Sequence, residues 1–300
     1  MTDFEDQGVS LTALAVAAGR AVETSRPDPL VKDLFAATLV EAAHSHVEFP
    51  TAWPSDPEAV SPLQQPLLLA SIYIGVRTRF IDDFLQSSPS TPQTVVLGAG
   101  LDTRTHRLAW PAGSRVFEID HANVLDFKAG VLARLSPLPS CELITLAANL
   151  SGPWRAPLLA VGFDPGQPTT WVLEGLLPYL DSAAQQAVLT GLMALSATGS
   201  RAVIERAVPL PKTDDFEARL REFSLQTGLP MSQLLARADP PDPEDLLRTA
   251  GWRSSGHTVQ DLYTRYGRTL SLSPVDHVEP EPQPAGPDHS RGGFVTAWLQ

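Results

Sequence analysis

Apolar positions recur at helical spacing through the first third of the chain and at strand spacing only after it. Residues 9–50 have a helical period: Ser10-Leu11-Thr12 opens a run of good helix formers, Pro27-Asp28-Pro29 interrupts it, and Leu30–Ala43 resumes it. Residues 50–66 are proline-rich and predict an irregular connection, after which Leu67–Leu85 returns to helix. No strand signal precedes residue 90, so residues 1–90 are expected to form a helical cap. From Thr94 onward, short apolar runs alternate with helical stretches. They predict strands near 94–98, 115–120, 141–147, 169–174 and 200–207, and helices near 102–109, 122–135 and 181–197, the last ended by Gly199. Further strands are expected near 252–258 and 292–299. Strands separated by helices predict a mostly parallel sheet, so residues 91–300 read as one α/β core. Residues 208–250 break the alternation: Asp214–Gln226 and Pro230–Ala238 predict short helices of an inserted lid, Pro240–Pro243 closes it, and Glu244–Ala250 resumes as helix. Residues 274–290, rich in Pro, Asp and Glu, predict a long surface loop.

The stretch Thr94–Leu108, TVVLGAGLDTRTHRL, carries the first chemical signal. Its strand breaks at Gly98-Ala99-Gly100 and continues into helix. Glycine allows backbone angles that other residues resist and lets a ligand lie against the main chain. The start of the helix offers free N–H groups to that ligand. Roughly 20 residues further on, RVFEID ends a second apolar run in acid, where a Rossmann-like βαβ unit binds ribose hydroxyls. Asp120 takes that role or caps the next helix, and Glu118 is expected on the opposite face of the strand. A dinucleotide fold calls for G-x-G-x-x-G facing a pyrophosphate. Here Thr103 stands at the third glycine, and Asp102 in the first helical turn would repel a phosphate. An NAD(P)-dependent oxidoreductase is the alternative these departures count against. S-adenosylmethionine, with an ammonium, a sulfonium and no phosphate, fits the turn better.

The segment VVLGAGLDTR resembles the cofactor motif of the leucine carboxyl methyltransferase-like family, in its bacterial branch. VSLTALAVAAGRAVET, RTRFIDDFL, FEIDHANVLDFKAGVL and WVLEGLLPYL are similar to that family in the same order, and the C-terminal GW and YGR segments extend the match over nearly the whole chain. The resemblance implies S-adenosylmethionine-dependent O-methyl transfer on a class I methyltransferase sheet whose last hairpin inserts antiparallel. It implies that Arg77 clamps the carboxylate of the cofactor's methionine moiety, a bidentate task that suits guanidinium. The alternative for arginines here is an intrahelical pair, of which Arg79 with Asp83 is the obvious one. Glu174, after the fourth strand, is implied to pair with the cofactor's α-ammonium, the alternatives being a helix cap or a solvent-facing carboxylate. Asn149-Leu150 stands where the family usually has Asp-Leu: Asn149 accepts from the adenine amine without charge assistance, or is a plain loop residue, and Leu150 stacks on the ring. Tyr179 reaches the acceptor or packs under the lid, and Pro178 replaces a bulkier family residue. His106 stands where the family commonly has tyrosine; it is a candidate base in the pocket or a satisfied helix side chain.

Composition narrows the partners. A net charge of −12 and a pI near 5.0 leave no basic excess for a nucleic acid or an anionic membrane, so the expected acceptor is a small molecule. Cys141 is the sole cysteine, and His44 and His46 do not share a helical face, so neither a disulfide nor a metal site is expected. The acidic start and short apolar run differ from a secretory signal, and no run approaches the length of a membrane span; a cytoplasmic protein is expected. A carboxylate acceptor is ionised at neutral pH and needs no base, whereas an alcohol or phenol needs one. The lack of a convincing base favours the carboxylate. A relative that binds the cofactor without turnover is the remaining alternative, motivated by Asn149 and His106.

Overall fold

The central strand β1 (Gln93–Leu97) is buried at every position, because parallel strands covered by helices on both faces have no solvent side. The computed structural model describes residues 10–57, 59–61, 64–87, 90–135, 138–207, 218, 221–222, 224–225, 241–272 and 292–300. Six further strands join β1: β2 (Arg115–Asp120), β3 (Glu142–Ala147), β4 (Thr169–Leu173), β5 (Arg201–Glu205), β6 (Trp252–His257) and β7 (Phe294–Leu299). Their order is β3-β2-β1-β4-β5-β7-β6, with β1 to β5 parallel and β7 antiparallel between β5 and β6. The chain leaves β1 in one direction for β2 and returns on its other side for β4. Leu97 is in register with both Ile119 and Leu173, so the strand order reverses at β1, and sheets of this kind bind ligands at the carboxyl ends of the strands flanking such a reversal.

The two faces of the sheet follow the alternation of side chains. Val95, Leu97, Phe117, Ile119, Trp171 and Leu173 pack with Trp154, Leu158, Val188 and Leu192 in the largest core cluster. These last residues come from the start and body of α6 (Arg155–Ala160) and from α7 (Ser182–Ala194). Val96, Val116, Val172 and Val203 face the other way, under Ile72, Val76, Phe80, Ile81 and Phe84 of α3 (Gln65–Gln86). Each of these helix side chains contributes about 1.5–3 kcal/mol by leaving water. A third cluster joins Leu14, Ala17 and Ala18 of α1 (Leu11–Thr24), Leu39 and Val40 of α2 (Ala36–Ala42), and Val124 and Val131 of α5 (Ala122–Leu135) to Leu101. The helical cap therefore packs on the sheet and on the glycine turn.

Several expectations are corrected in detail. Only Ala36–Ala42 of the expected helix Leu30–Ala43 is helical, because buried Asp33 uses its carboxylate to accept from the Phe35 amide and from Arg20, holding residues 30–35 out of helix. The helix expected at 102–109 is a single turn, α4 (Arg104–Arg107); Leu108 is extended, and the Trp110 indole donates to the Arg104 carbonyl. Helix α7 stops at Ala194, and Gly199 turns the chain into β5 with φ 87°. Two short helices were not expected: α6, and α9 (Val259–Tyr266), which follows α8 (Pro243–Thr249) and begins in a Thr258/Asp261 capping box. Glu118 and Asp120, two residues apart, share a face of β2 instead of opposing one another. The helices expected at Asp214–Gln226 and Pro230–Ala238 and the loop expected at 274–290 lie outside the described residues, apart from helical Ala218, Arg221, Glu222, Ser224 and Leu225. Among the described residues no helix is long and apolar enough to cross a membrane.

Candidate functional site

Beyond Leu97 the chain turns at Gly98 and Gly100, with φ of 73° and 49°. A Cβ on Gly98 would approach the Leu176 side chain to 3.2 Å, so both the backbone angle and the space call for glycine. The Gly98 and Ala99 amides donate to the Ile119 carbonyl at 2.9 and 3.1 Å, and the Gly100 amide donates to the Asp120 carboxylate at 2.6 Å. The other Asp120 oxygen accepts from the His121 amide at 2.7 Å. Asp120 thus stands at the end of β2 beside the turn, oriented by two main-chain N–H groups. On the same face, buried Glu118 pairs with Lys128 of α5 at 2.6 Å, and Lys128 also donates to the Asp102 carbonyl.

Charged side chains from four elements meet beside this turn. Glu174, immediately after β4, holds one carboxylate oxygen 2.8 Å from Arg77 Nε of α3 and the other 2.6 Å from Arg104 Nη1 of α4. The first contact is an ion pair whose N–H does not point along it, leaving Arg77 Nε without a hydrogen-bond partner. Arg104 is fixed in turn by Asp82 at 2.7 Å and Asp102 at 2.5 Å, and Asp82 also binds Arg107. On its far side Arg77 lies 3.2 Å from Glu205, the last residue of β5. Glu205 accepts from the Gly175 amide at 2.6 Å and from the Tyr73 hydroxyl.

Electrostatics fix the ionisation of this cluster. Burial pushes the Glu174 carboxyl up, but Arg104 and then Arg77 outweigh it and hold it below the usual carboxylate range, against a smaller opposing push from Asp102. Asp102 is likewise held far below its ordinary value, burial being overcome by Arg104, Arg107 and Lys128. Burial and the neighbouring Glu205 push the Tyr73 hydroxyl well above its usual range. Glu174 and Asp102 are therefore ionised at neutral pH, and the Tyr73 hydroxyl keeps its proton.

The other expected site residues are distributed unevenly. Tyr179, in the one-turn 3-10 helix Leu177–Tyr179, is 37% exposed, and burial of its hydroxyl, with Glu205 nearby, pushes that group up against the opposing influence of Arg77 and Thr12. Asn149 follows β3, and its side-chain oxygen accepts from the Ser151 amide at 2.9 Å, a local turn. Leu150 is buried in the main core. His106 is turned to the α2 side, edge-on to Phe35 and hydrogen-bonded to Thr105, with burial and Lys128 lowering its basicity. Arg79 pairs with Asp83 at 2.8 Å on an exposed face, the intrahelical arrangement.

Sequence reasoning missed Arg104, Asp82, Glu205 and Tyr73. Arg104 lies inside the recognised motif, yet local sequence does not say which acid it meets 70 residues away. The link from cap to turn was equally hidden: Arg20 donates to Asp33 and to the Leu101 carbonyl, and Thr103 donates to the same Asp33 oxygen.

A sheet of this order, with a glycine turn after β1 and an acid after β2, is that of class I methyltransferases. The crystal structure of a DUF574 family protein from Streptomyces avermitilis shares the fold, with a TM-score of 0.54 at 12% identity over 88% of this chain and 95% of that one. By family and by relatives the chain is an S-adenosylmethionine-dependent methyltransferase. A sequence model of leucine carboxyl methyltransferases matches residues 13–193, and the chain belongs to that family. A Saccharopolyspora erythraea protein provisionally named as an S-adenosyl-L-methionine-dependent methyltransferase is 40% identical over 266 residues, which cover 88% of this chain and 90% of its own. One from Mycobacteroides abscessus with the same provisional name is 37% identical over 298 residues, 97% of this chain and 92% of its own. Family membership leaves the nicotinamide alternative without support.

Proposed function

We propose that this methyltransferase acts on an oxygen of a small-molecule acceptor, a carboxylate in preference to a hydroxyl. The observation that carries the cofactor placement is the Glu174 carboxylate held between two guanidinium groups beside the glycine turn. Cations and an anion side by side suit the zwitterionic amino-acid end of S-adenosylmethionine. Buried Arg77 Nε and Arg104 Nη2 have no hydrogen-bond partner, so the donor set is incompletely used by the protein itself. In this placement Arg77 holds the cofactor carboxylate, Glu174 the ammonium, Asp120 the ribose hydroxyls, and Asn149 with Leu150 the adenine side. Leu150 must do so from a buried position, and Asn149 must share its oxygen with the Ser151 amide.

The bound cofactor supplies a methyl group already activated by positive sulfur. What the chain contributes is orientation and exclusion of water. None of the groups described at the cluster is a good base: Glu174 is held ionised by two arginines, the Tyr73 hydroxyl is committed to Glu205, and His106 faces Phe35. An acceptor that is already ionised needs no such group, which supports a carboxylate. Titration calorimetry with S-adenosylmethionine, S-adenosylhomocysteine, NADH and NADPH tests the cofactor, and the first pair alone should bind. Incubation with a panel of carboxylic acids, phenols and alcohols then tests the acceptor. A methyl group released as methanol by mild alkali marks an ester; an alkali-stable product would replace the carboxylate reading with an ether-forming one.

A further inference from the structure

We propose that Arg104 is a positioning residue of the cofactor site, holding the Glu174 carboxylate in place for the cofactor's α-ammonium. The inference rests on the cofactor placement given above. Glu174 has its two oxygens anchored on different elements, α3 through Arg77 and α4 through Arg104. A carboxylate after a strand otherwise has free rotamers, and two anchors remove that freedom before a ligand arrives. Arg104 is suited to the task because it cannot move: it is 4% exposed, with Nε on Asp82 and Nη1 shared between Asp102 and Glu174. Its Nη2 is buried and has no hydrogen-bond partner, so one donor of this guanidinium is unused.

The charged groups that act on Glu174 set the balance. Arg77 faces it from α3, Arg104 from α4 and Asp102 from the glycine turn, while Glu205, Tyr73 and Tyr179 act on Arg77. Burial and Asp102 push the Glu174 carboxyl up, and of the two cations that pull it down Arg104 pulls harder. Replacing Arg104 with a neutral side chain removes the larger pull and leaves the pushes. Glu174 then takes up a proton at higher pH and loses its charge for the ammonium.

Calorimetry with two ligands separates this role from general support of the fold. S-adenosylhomocysteine has the amino-acid end, and 5′-methylthioadenosine lacks it. Arg104→Met should weaken S-adenosylhomocysteine roughly tenfold or more at pH 7, the worth of a charge-assisted hydrogen bond, and leave 5′-methylthioadenosine unchanged. As pH is lowered from 8, its affinity for S-adenosylhomocysteine should begin to fall at a higher pH than that of the unsubstituted protein. In a Glu174→Gln background the same substitution should add almost nothing. Equal loss of both ligands, a level pH profile in the variant, or full additivity with Glu174→Gln would overturn the proposal. If Arg104→Met melts before it can be titrated, Arg104→Lys gives the comparison: it keeps the charge but spans fewer acids, so S-adenosylhomocysteine alone should weaken, severalfold. Failure of the unsubstituted protein to bind S-adenosylhomocysteine would instead remove the cofactor placement, and this inference with it.

Discussion

Removing the Arg77 side chain would take one cation from Glu174 and the only described cation partner from Glu205. Uncovering a buried carboxylate costs on the order of 3 kcal/mol, so Arg77→Ala should lower stability as well as weaken S-adenosylmethionine by about 1.5–3 kcal/mol. The pH dependence follows from Glu174. Its folded-state value lies below the ordinary 4.5, so its stabilising contribution is complete above that value and is lost as pH falls below it. Losing Arg77 shrinks this contribution, so the stability gap between variant and parent should be widest at neutral pH and should narrow below about pH 4.5. Denaturant titrations at pH 7 and pH 4 measure it; a constant gap would mean that Arg77 contributes packing and no charge pairing. Arg79, exposed and paired within its own helix, should tolerate substitution by alanine within about 0.5 kcal/mol.

At the scale of elements, the last two strands of the sheet, β6 and antiparallel β7, depend on one tight approach. Gly293, with φ 92°, precedes β7, and a Cβ there would overlap the His257 carbonyl oxygen at the end of β6. The Arg206 amide donates to the Gly293 carbonyl at 2.8 Å, so the same residue also fixes the exit from β5. Gly293→Ala should therefore cost about 3 kcal/mol or more, because the obstacle is backbone and cannot rotate away. Amide exchange would show the loss concentrated in β6 and β7, with β1 and β4 still protected; uniform protection across the sheet would refute this. The single-turn α4 illustrates the opposite influence. Its four residues are too few for a stable helix alone, and it persists because Arg104 is held by acids on α3, in the turn and immediately after β4.

At the scale of the whole molecule, the cap and the sheet should unfold as one cooperative unit. Helix α1 buries Leu14, Ala17, Ala18, Ala21 and Val22, and Arg20 reaches the Leu101 carbonyl of the glycine turn. Asp33 joins Arg20 to Thr103, so the loop before α2 is bonded to the turn as well. Deleting residues 1–34 would expose the facing surface of α3 and leave the turn without these bonds. The loss approaches the whole net stability of a typical domain. The truncated chain should lose its near-ultraviolet circular dichroism and its S-adenosylhomocysteine binding together. Retention of both would show that the cap is an independent appendage.

The strands, the glycine turn and the acid after β2 were legible in the sequence because each is a local matter. Alternating or continuous apolar runs report burial of a strand, and positive φ selects Gly98 and Gly100 whatever lies elsewhere. Motif resemblance added Arg77 and Glu174 as residues of one site. Which charges meet was decided by tertiary structure alone: Arg77 reaches Glu205 across 128 residues and Arg104 reaches Glu174 across 70, because the strand order sets the ends of β4 and β5 beside α3 and α4. Helix lengths were decided in the same way, since buried Asp33 and the Trp110 indole bond to backbone that helical period alone would have extended. Residue pattern specifies what a segment can do with its own neighbours. The partners of a buried charge are set by the fold, since Coulomb attraction depends on distance in space and has no signature along the chain.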